Sequence, residues 1–266
     1  MNKFFDKDNR RIALFGKEAN ADFWDSHWSA EDGRTIKANI LSGKGSRIVR
    51  RFTAKYLARG SRILDGGCGI GQNVFALNKM GYDAYGLDYA KETIAFTKTI
   101  FPEMNLSCAS VNQTPYRDNF FDGYWSLGVI EHCRDGYDSI TEEAARIIKP
   151  NGYFFAAFPM ISVLRAIKIR LGIYKKIKNG SGDNFYQYFF DPRDVAGRVQ
   201  SRGFALVEKH SWDAIKGLKD EIKFLEAPLQ AIYDNKIAGS RFLKYMANML
   251  LGWFCGHMAL LVFRKK

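Results

Sequence analysis

Short apolar runs alternate with helix-spaced apolar positions through the middle of the chain. The runs predict seven strands, at residues 62–65, 83–88, 105–109, 121–127, 153–158, 204–210 and 258–263. The intervening spacing predicts helices at 72–80, 90–101 and 139–149, and Asp191-Pro192 supplies an N-cap and a first helical residue for a fourth. Strands that alternate with helices in this way form a mostly parallel sheet, covered on both faces through right-handed crossovers. We therefore expect a doubly wound α/β fold with seven strands.

Further segments surround this predicted core. Apolar spacing in residues 19–28 and 46–57 leads us to expect helices throughout the first sixty residues. Two segments, 160–190 and 213–256, interrupt the alternation of strands and helices, and we expect them to be insertions beside the sheet. Because no repeat or linker-like stretch divides the 266 residues, we expect one domain, composed of an N-terminal helical cap (1–60), a core (61–160) and the two insertions.

The segment from Tyr245 to Phe263 is apolar over about the length that spans a bilayer. It also contains Asn248, His257 and two glycines. We favour an apolar helix to about Phe254, then a turn and a buried strand, because a sheet covered on both faces needs such a strand. A true membrane span is not expected, whereas contact with a membrane surface remains open.

The composition is that of a globular protein, with 47% hydrophobic and 26% charged residues, but the formal net charge is +12. No acid lies between Asp32 and Asp65 or between Pro159 and Asp183, whereas these stretches hold nine and six lysines and arginines. Such stripes attract anionic partners, including phosphates, acidic sugars, nucleic acid and anionic lipid. A solvated face that keeps the protein in solution explains them equally well.

The four cysteines, Cys68, Cys108, Cys133 and Cys255, show no C-x-x-C spacing. We therefore expect neither a zinc or other metal site nor a disulfide framework. The first 25 residues contain no apolar run long enough for a signal peptide. These observations together favour a reduced, cytoplasmic compartment.

The stretch Ile63–Asn73, ILDGGCGIGQN, carries the strongest chemical signal. Gly67, Gly69 and Gly71 follow a strand at its carboxyl end, where open α/β sheets bind ligands. Glycine lets the backbone turn sharply and leaves no Cβ between it and a ligand. The frame is D-x-G-x-G-x-G rather than the G-x-G-x-x-G of dinucleotide sites, and Asp65 ends the strand. A carboxylate there suits an ammonium group better than a pyrophosphate.

Asp88 ends the next predicted strand, 23 residues after Asp65. A carboxylate at this position accepts hydrogen bonds from the ribose hydroxyls of a bound nucleoside. Asp88 fits either a nicotinamide dinucleotide or the aminoacyl nucleoside S-adenosylmethionine. The two cofactors are therefore distinguished by Asp65 and by the spacing of the glycines, and both features favour S-adenosylmethionine over an oxidoreductase cofactor.

These motifs resemble those of the class I S-adenosylmethionine-dependent methyltransferases, in particular the small-molecule and lipid methyltransferase group. ILDGGCGIG resembles the first motif of the family, and YGLDYA resembles its acidic second strand. TPYRDNFFDGYWSLGVIEHC and IIKPNGYFFAAFP resemble the stretches at its fourth and fifth strands. The four motifs stand in the family's order within residues 62–159. The resemblance implies a Rossmann-like methyltransferase fold with S-adenosylmethionine as cofactor.

The resemblance also implies roles for residues in the first two motifs. Asp65, Gly67 and Gly69 would hold the methionine end of the cofactor, and Asp88 would hold its ribose. Cys68 belongs to the same cofactor-binding loop, and we expect its thiol to be packing rather than a nucleophile.

Residues further along would complete the cofactor site. Tyr89 would lie along the adenine. The family often has an acid near the adenine amine where this chain has Ser110, so the contact is expected to pass to the Ser110 hydroxyl or the Val111 backbone. Leu127 and Gly128 would border the methyl donor.

His132, in VIEHC after the fourth predicted strand, resembles the histidine of the family's Glu-His pair near the cofactor-facing rim. A hydroxyl acceptor usually needs a general base, and histidine suits this role near neutral pH. His132 is therefore our candidate base or acceptor-orienting group. The alternative is that His132 or Glu131 fixes the loop after the strand. Similarly, the aromatic cluster around Tyr186 in the 160–190 insertion would either cover the acceptor or pack on the sheet edge.

We expect an enzyme that methylates a small-molecule, sugar or lipid-like acceptor by in-line displacement, and the basic stripes would suit an anionic one. A nucleic-acid methyltransferase is encouraged by a sequence pI of about 9.5. Against it, the chain lacks the Asn/Asp-Pro-Pro-aromatic and Pro-Cys motifs of enzymes that act on bases. A catalytically idle interaction protein with the same fold is a third alternative. The acceptor and the oligomeric state are not predicted.

Overall fold

The computed structural model describes residues 2–16, 18–29, 33–176, 184–235 and 237–266. A seven-stranded sheet is formed by β3 (Arg62–Gly66), β4 (Asp83–Asp88), β5 (Asn105–Cys108), β6 (Phe121–Leu127), β7 (Ile148–Pro159), β10 (Phe204–Trp212) and β11 (Met258–Lys265). The order across the sheet is β10-β11-β7-β6-β3-β4-β5. Across the sheet, the five strands β7, β6, β3, β4 and β5 are parallel to one another, whereas β11 runs antiparallel to its neighbours β10 and β7. The predicted α/β class and mostly parallel seven-stranded sheet are confirmed.

Helices cover the two faces of this sheet. Those that connect its strands are α4 (Gln72–Lys79), α5 (Lys91–Ile100), α6 (Asp138–Ile147) and α8 (Pro192–Gln200). As predicted, the Asp191 side chain caps α8 by accepting the Arg193 N–H at 2.9 Å, and Pro192 is its first residue. Successive residues of a strand face opposite sides. Accordingly Tyr124 of β6 packs into one hydrophobic cluster and Trp125 into the other.

The N-terminal segment corrects one prediction. Residues 2–15 are not helical: they form β1 (Asn2–Asp6) and β2 (Arg11–Phe15), which join β8 (Lys175–Lys176) and β9 (Phe185–Phe189) in a second sheet of order β8-β1-β2-β9. A polar turn makes the hairpin possible, because Asp6 Oδ1 accepts the Asn9 N–H at 3.1 Å and Arg10 takes a positive φ of 50°. The helices of this region begin later, as α1 (Ala21–Ser29), α2 (Gly33–Leu41) and α3 (Arg47–Tyr56).

The two insertions contain the remaining elements. The first holds α7 (Val163–Arg170), β8 and β9, and residues 177–183 lie outside the described residues. The second holds α9 (Ala214–Glu221), α10 (Glu226–Asp234) and α11 (Ala238–Cys255), and β11 follows after a turn. The predicted helix, turn and buried strand over 245–263 are confirmed. Among the described residues no helix is both long and apolar enough to cross a membrane.

A buried ionic cluster fixes the first insertion against the second. Arg165 of α7 is fully buried and donates to Glu221 Oε1 of α9 at 2.9 Å. Glu221 also accepts from Lys3 at 2.7 Å and Lys168 at 2.6 Å, and Arg165 Nη2 donates to His257 Nδ1 at 3.2 Å. Buried charges persist only where they are paired in this way. The cluster thus joins β1, α7, α9 and the start of β11.

Candidate cofactor and acceptor site

A cavity of about 490 Å³ opens at the carboxyl edge of β3, β4 and β6. Its lining combines loop glycines, polar groups and aromatic rings: Trp24, Trp28, Gly67, Gly69, Asp88, Tyr89, Ser110, Val111, Asn112, Leu127, Gly128, Val129, His132 and Cys133. This is the edge where open α/β sheets bind ligands, and the volume suits a small molecule.

The glycine loop leaves bare backbone on the cavity wall. Gly67 and Gly69 have positive φ values of 80° and 51°, which other residues rarely adopt. A Cβ on Gly67 would lie 2.4 Å from Val129 Cγ2, and one on Gly69 would lie 2.7 Å from Trp28 Cζ2. The loop therefore needs glycine both for its turn and for the close approach of its neighbours.

Asp88 is held at the cavity by backbone amides. It is 7% exposed, and its Oδ2 accepts the Gly69 N–H at 2.8 Å while its Oδ1 accepts the Ala90 N–H at 2.9 Å. Each carboxylate oxygen has a further lone pair, so the side chain can still accept hydrogen bonds from a ligand. Burial raises the pKa of Asp88 above its ordinary value.

Asp65 and Cys68 lie behind the loop rather than in the cavity lining. Asp65 is buried, Asn73 Nδ2 donates to its Oδ2 at 3.4 Å, and burial raises its pKa to about 7. The Cys68 side chain packs into the hydrophobic cluster around Trp125, and burial raises the pKa of its thiol well above the usual value. A neutral, buried thiol is a packing group, not a nucleophile.

The other cofactor candidates named from the sequence all line the cavity: Tyr89, Ser110, Val111, Leu127 and Gly128. The Tyr89 hydroxyl donates to the Ala19 carbonyl at 3.3 Å, which turns its ring toward the N-terminal helices. Ser110 Oγ accepts the Asn112 N–H at 3.2 Å. The structure thus brings residues of the first three sequence motifs, together with Ser110 and Val111, to one cavity.

His132 also lines the cavity, from a 3-10 turn (Ile130–His132) that follows β6. Its Nδ1 lies 2.7 Å from the carbonyl oxygen of Tyr186 in β9. A carbonyl can only accept, so Nδ1 carries the hydrogen and, in the neutral ring, Nε2 keeps a free lone pair. Burial lowers the pKa of His132, more than the Tyr186 contact raises it. The ring is therefore neutral near pH 7, with one tautomer favoured.

Sequence reasoning missed several residues of the cavity. Trp24 and Trp28 of α1 line it, and the Trp24 ring meets the His132 ring edge to face, with centroids 5.1 Å apart. Their i, i+4 spacing in FWDSHW could have shown a shared aromatic face. Glu131, which was named from the sequence together with His132, does not line the cavity. It is buried, its Oε2 has no hydrogen-bond partner in the described parts of the chain, and burial raises its pKa to about 8.

Known proteins share both the motifs and the fold. A family model described as a methyltransferase domain matches residues 64–156. A ubiquinone biosynthesis O-methyltransferase of Acinetobacter baumannii (strain ACICU) is 26% identical over 212 residues, which make up 76% of this chain and 84% of that protein. Methyltransferase GfsG of Streptomyces halstedii is 22% identical over 158 residues, 56% of this chain. The match spans about half, 54%, of that protein's own length.

Among solved structures, the 1,6-didemethyltoxoflavin-N1-methyltransferase of Burkholderia thailandensis superposes with a TM-score of 0.56 at 14% identity, and 100% of both chains is covered. That structure contains 1,6-didemethyltoxoflavin and S-adenosylhomocysteine. At this identity the likeness shows the fold. Together with the domain match and the named relatives, it confirms the resemblance: residues 64–156 form a class I S-adenosylmethionine-dependent methyltransferase domain, whose cofactor is S-adenosylmethionine.

Proposed function

We propose that the protein transfers a methyl group from S-adenosylmethionine to a hydroxyl of a small-molecule, sugar or lipid-like acceptor, with His132 as the general base. The observation that carries this proposal is the contact of 2.7 Å between His132 Nδ1 and the Tyr186 carbonyl oxygen. It leaves Nε2 as the basic atom of a ring that lines the cavity.

The loop and strand-end residues would hold the cofactor. The bare backbone of Gly67 and Gly69 admits the aminoacyl part, and Asp65 behind the loop supplies a carboxyl that ionises beside an ammonium group. Asp88 would accept hydrogen bonds from the ribose hydroxyls, since it lines the cavity and each of its carboxylate oxygens has a further lone pair. Bound S-adenosylmethionine supplies an electrophilic methyl group on a sulfonium.

Five further residues would complete this site, in keeping with their place on the cavity wall. Tyr89 and Ser110, with the Val111 backbone, would border the adenine. Leu127 and Gly128, at the end of β6, would border the methyl group and exclude water from it.

His132 would remove the proton that the acceptor loses. Nε2 would accept the proton that the acceptor hydroxyl loses when its oxygen receives the methyl group, and the donor would be left as a neutral thioether that keeps the electron pair on sulfur. The Tyr186 carbonyl stabilises the imidazolium that forms, because it accepts the hydrogen bond from Nδ1. Solvent then takes the proton from the ring.

The aromatic wall supports an acceptor with a flat or apolar part. This wall is formed by Trp24 and Trp28, which line the cavity together with His132, and such rings stack on planar groups. The name of the Acinetobacter relative, an O-methyltransferase, is consistent with oxygen as the methylated atom. We further propose a cytoplasmic location, which is supported by four cysteines that are all free.

The test uses two substitutions at one position. His132→Asn retains a side-chain N–H that can reach the Tyr186 carbonyl but has no base, whereas His132→Ala removes both. With a panel of phenolic, sugar and lipid hydroxyls, we expect both variants to lose about 10²-fold or more in kcat while cofactor affinity stays unchanged. Product is measured by mass spectrometry. A near-normal kcat in His132→Asn would show that His132 only positions the loop, and a wild-type protein that binds cofactor without turning over any acceptor would favour an interaction protein.

A further inference from the structure

Helix α11 carries its large apolar side chains on the outside. Its buried residues are small: Ser240, Gly252 and Cys255. Trp253 is 66% exposed and Phe242 62%. A surface helix of a globular protein normally turns its apolar stripe toward the core. The reversed arrangement indicates a surface that binds something else.

The exposed side chains of α11 form a row, three or four residues apart: Phe242, Tyr245, Met249 and Trp253. Helix α7 contacts α11 and carries a second row. Val163 and Ile167 of α7, and Leu171 just beyond it, are four residues apart and all exposed. These two rows, which we call the outer face, are contributed by neighbouring helices.

The charges on the same two segments are positive. Neither 160–182 nor 235–266 contains an acidic residue, and each holds six lysines and arginines. Six exposed cations of these segments form no ion pair with a described residue: Arg170, Lys175, Lys176 and Arg241 on or beside α7 and α11, and Arg264 and Lys266 at the far end of β11. The neighbouring α10 contributes acids at its two ends, Glu226 and Asp234. The segments that carry the outer face are therefore both apolar and cationic.

We propose that the outer face docks the protein on the surface of an anionic phospholipid bilayer. Its aliphatic and aromatic side chains would enter the boundary between head groups and acyl chains, while the lysines and arginines reach the phosphates. The contact lies on the bilayer, since no described helix can cross one. A second copy of the chain is a poorer occupant, because a symmetric interface would bring these cations against their own counterparts.

The outer face starts from the sheet edge that holds the cavity. Helix α7 follows the carboxyl end of β7, and α11 ends shortly before Met258, which pairs with Pro159 at that end. The strands β3, β4, β6 and β7 are parallel, so their carboxyl ends share this edge. Docking would bring the cavity edge toward the membrane, where lipid-like acceptors are dissolved. The docking itself does not depend on the proposed methyl transfer.

Vesicle flotation of the full chain tests the proposal. One set of vesicles contains phosphatidylcholine alone, and the other contains phosphatidylcholine with anionic phosphatidylglycerol. We expect at least about tenfold stronger binding to the anionic set, falling as salt rises. Met249→Ser combined with Trp253→Ser should weaken binding at least about tenfold, and so should Lys175→Glu combined with Lys176→Glu. Phe96→Ser, which removes an exposed aromatic ring from α5, is the matched control and should bind as wild type.

Circular dichroism and S-adenosylhomocysteine binding establish that each variant is folded. Failure of the wild type to float with anionic vesicles would overturn the proposal, as would unchanged flotation of the α11 variant. A dimer in sedimentation velocity that the α11 variant abolishes would assign the outer face to a second copy instead. None of these results depends on turnover, so failure of docking and failure of methyl transfer are distinguishable.

Discussion

The Asp25 carboxylate of α1 caps the first turn of α5 at Thr93. Asp25 Oδ1 accepts both the backbone N–H of Thr93 at 2.8 Å and its hydroxyl at 2.7 Å. Helix α5 begins after Ala90, which has no side chain that could cap it. Asp25 therefore supplies from another helix the acceptor that α5 lacks, and it fixes the helix that carries Trp24 and Trp28 to the cavity.

Asp25→Ala should loosen α1 from the cavity. We expect a loss of about 1 kcal/mol in the free energy of unfolding, as for other lost N-caps, because the amide of Thr93 loses its acceptor. Since α1 carries two of the lining tryptophans, affinity for S-adenosylhomocysteine should fall about tenfold. Urea unfolding and calorimetry measure the two effects. Asp22 is an exposed carboxylate on the same helix, and the control Asp22→Ala should change neither the free energy of unfolding nor the affinity. Equal effects of the two substitutions would show that the contact between Asp25 and Thr93 does not hold α1 in place.

Asp65 should make cofactor binding depend on pH. Burial raises the pKa of the free protein's Asp65 to about 7, and an ammonium group beside the carboxyl would lower it again. Binding then releases a proton below this pKa, so affinity should rise with pH up to about 7 and level off above. Calorimetry between about pH 6 and about pH 8 should show the rise, and Asp65→Asn should bind weakly with little pH dependence. Wild-type affinity that stays flat across this range would show that Asp65 does not meet a cation.

Glu221 should dominate the acid sensitivity of the fold. Its cationic partners Arg165, Lys3 and Lys168 hold its pKa at about 2, below the ordinary value of 4.5. A depressed pKa stabilises the fold fully above the unfolded value, and this stabilisation is lost as pH falls from about 4.5 toward about 2. Glu221→Gln should lower the free energy of unfolding by about 3 kcal/mol or more near neutral pH, because it leaves buried cations unpaired. It should also weaken the dependence of stability on pH in this acidic range. Chemical unfolding at several pH values measures both effects. If the variant lost stability in acid as steeply as the wild type, the assignment to Glu221 would be contradicted.

The main sheet and the cofactor loop could be predicted from the sequence because their signals are local. A buried parallel strand is a continuous apolar run, and a ligand loop at its end needs glycine whatever surrounds it. All seven strands lie where apolar runs predicted them, and Gly67, Gly69 and Asp88 meet at one cavity.

The second sheet and the aromatic wall depend on partners far away in the chain. Strand β2 pairs Ile12 with Phe189, and neither short segment shows by itself that it has a sheet partner. Trp24 and Trp28 have the spacing of ordinary core positions, and only the packing of α1 over the glycine loop brings them to the cavity. Likewise, the group that fixes the His132 tautomer is the backbone carbonyl of Tyr186. Every residue type has such a carbonyl, so the sequence does not indicate this contact.

Calorimetry tests the account most directly. S-adenosylmethionine is titrated into the wild type, Asp88→Asn and Asp88→Ala, and NAD is titrated separately into the wild type as the alternative ligand. We predict one site on the wild type for S-adenosylmethionine and none for NAD. Asp88→Ala should lose about a hundredfold in affinity with the fold intact by circular dichroism, since two hydrogen bonds to a charged acceptor are lost, and Asp88→Asn should fall between the two. Binding of NAD, or unchanged affinity in Asp88→Ala, would contradict the central claim that this cavity holds an aminoacyl nucleoside by its ribose.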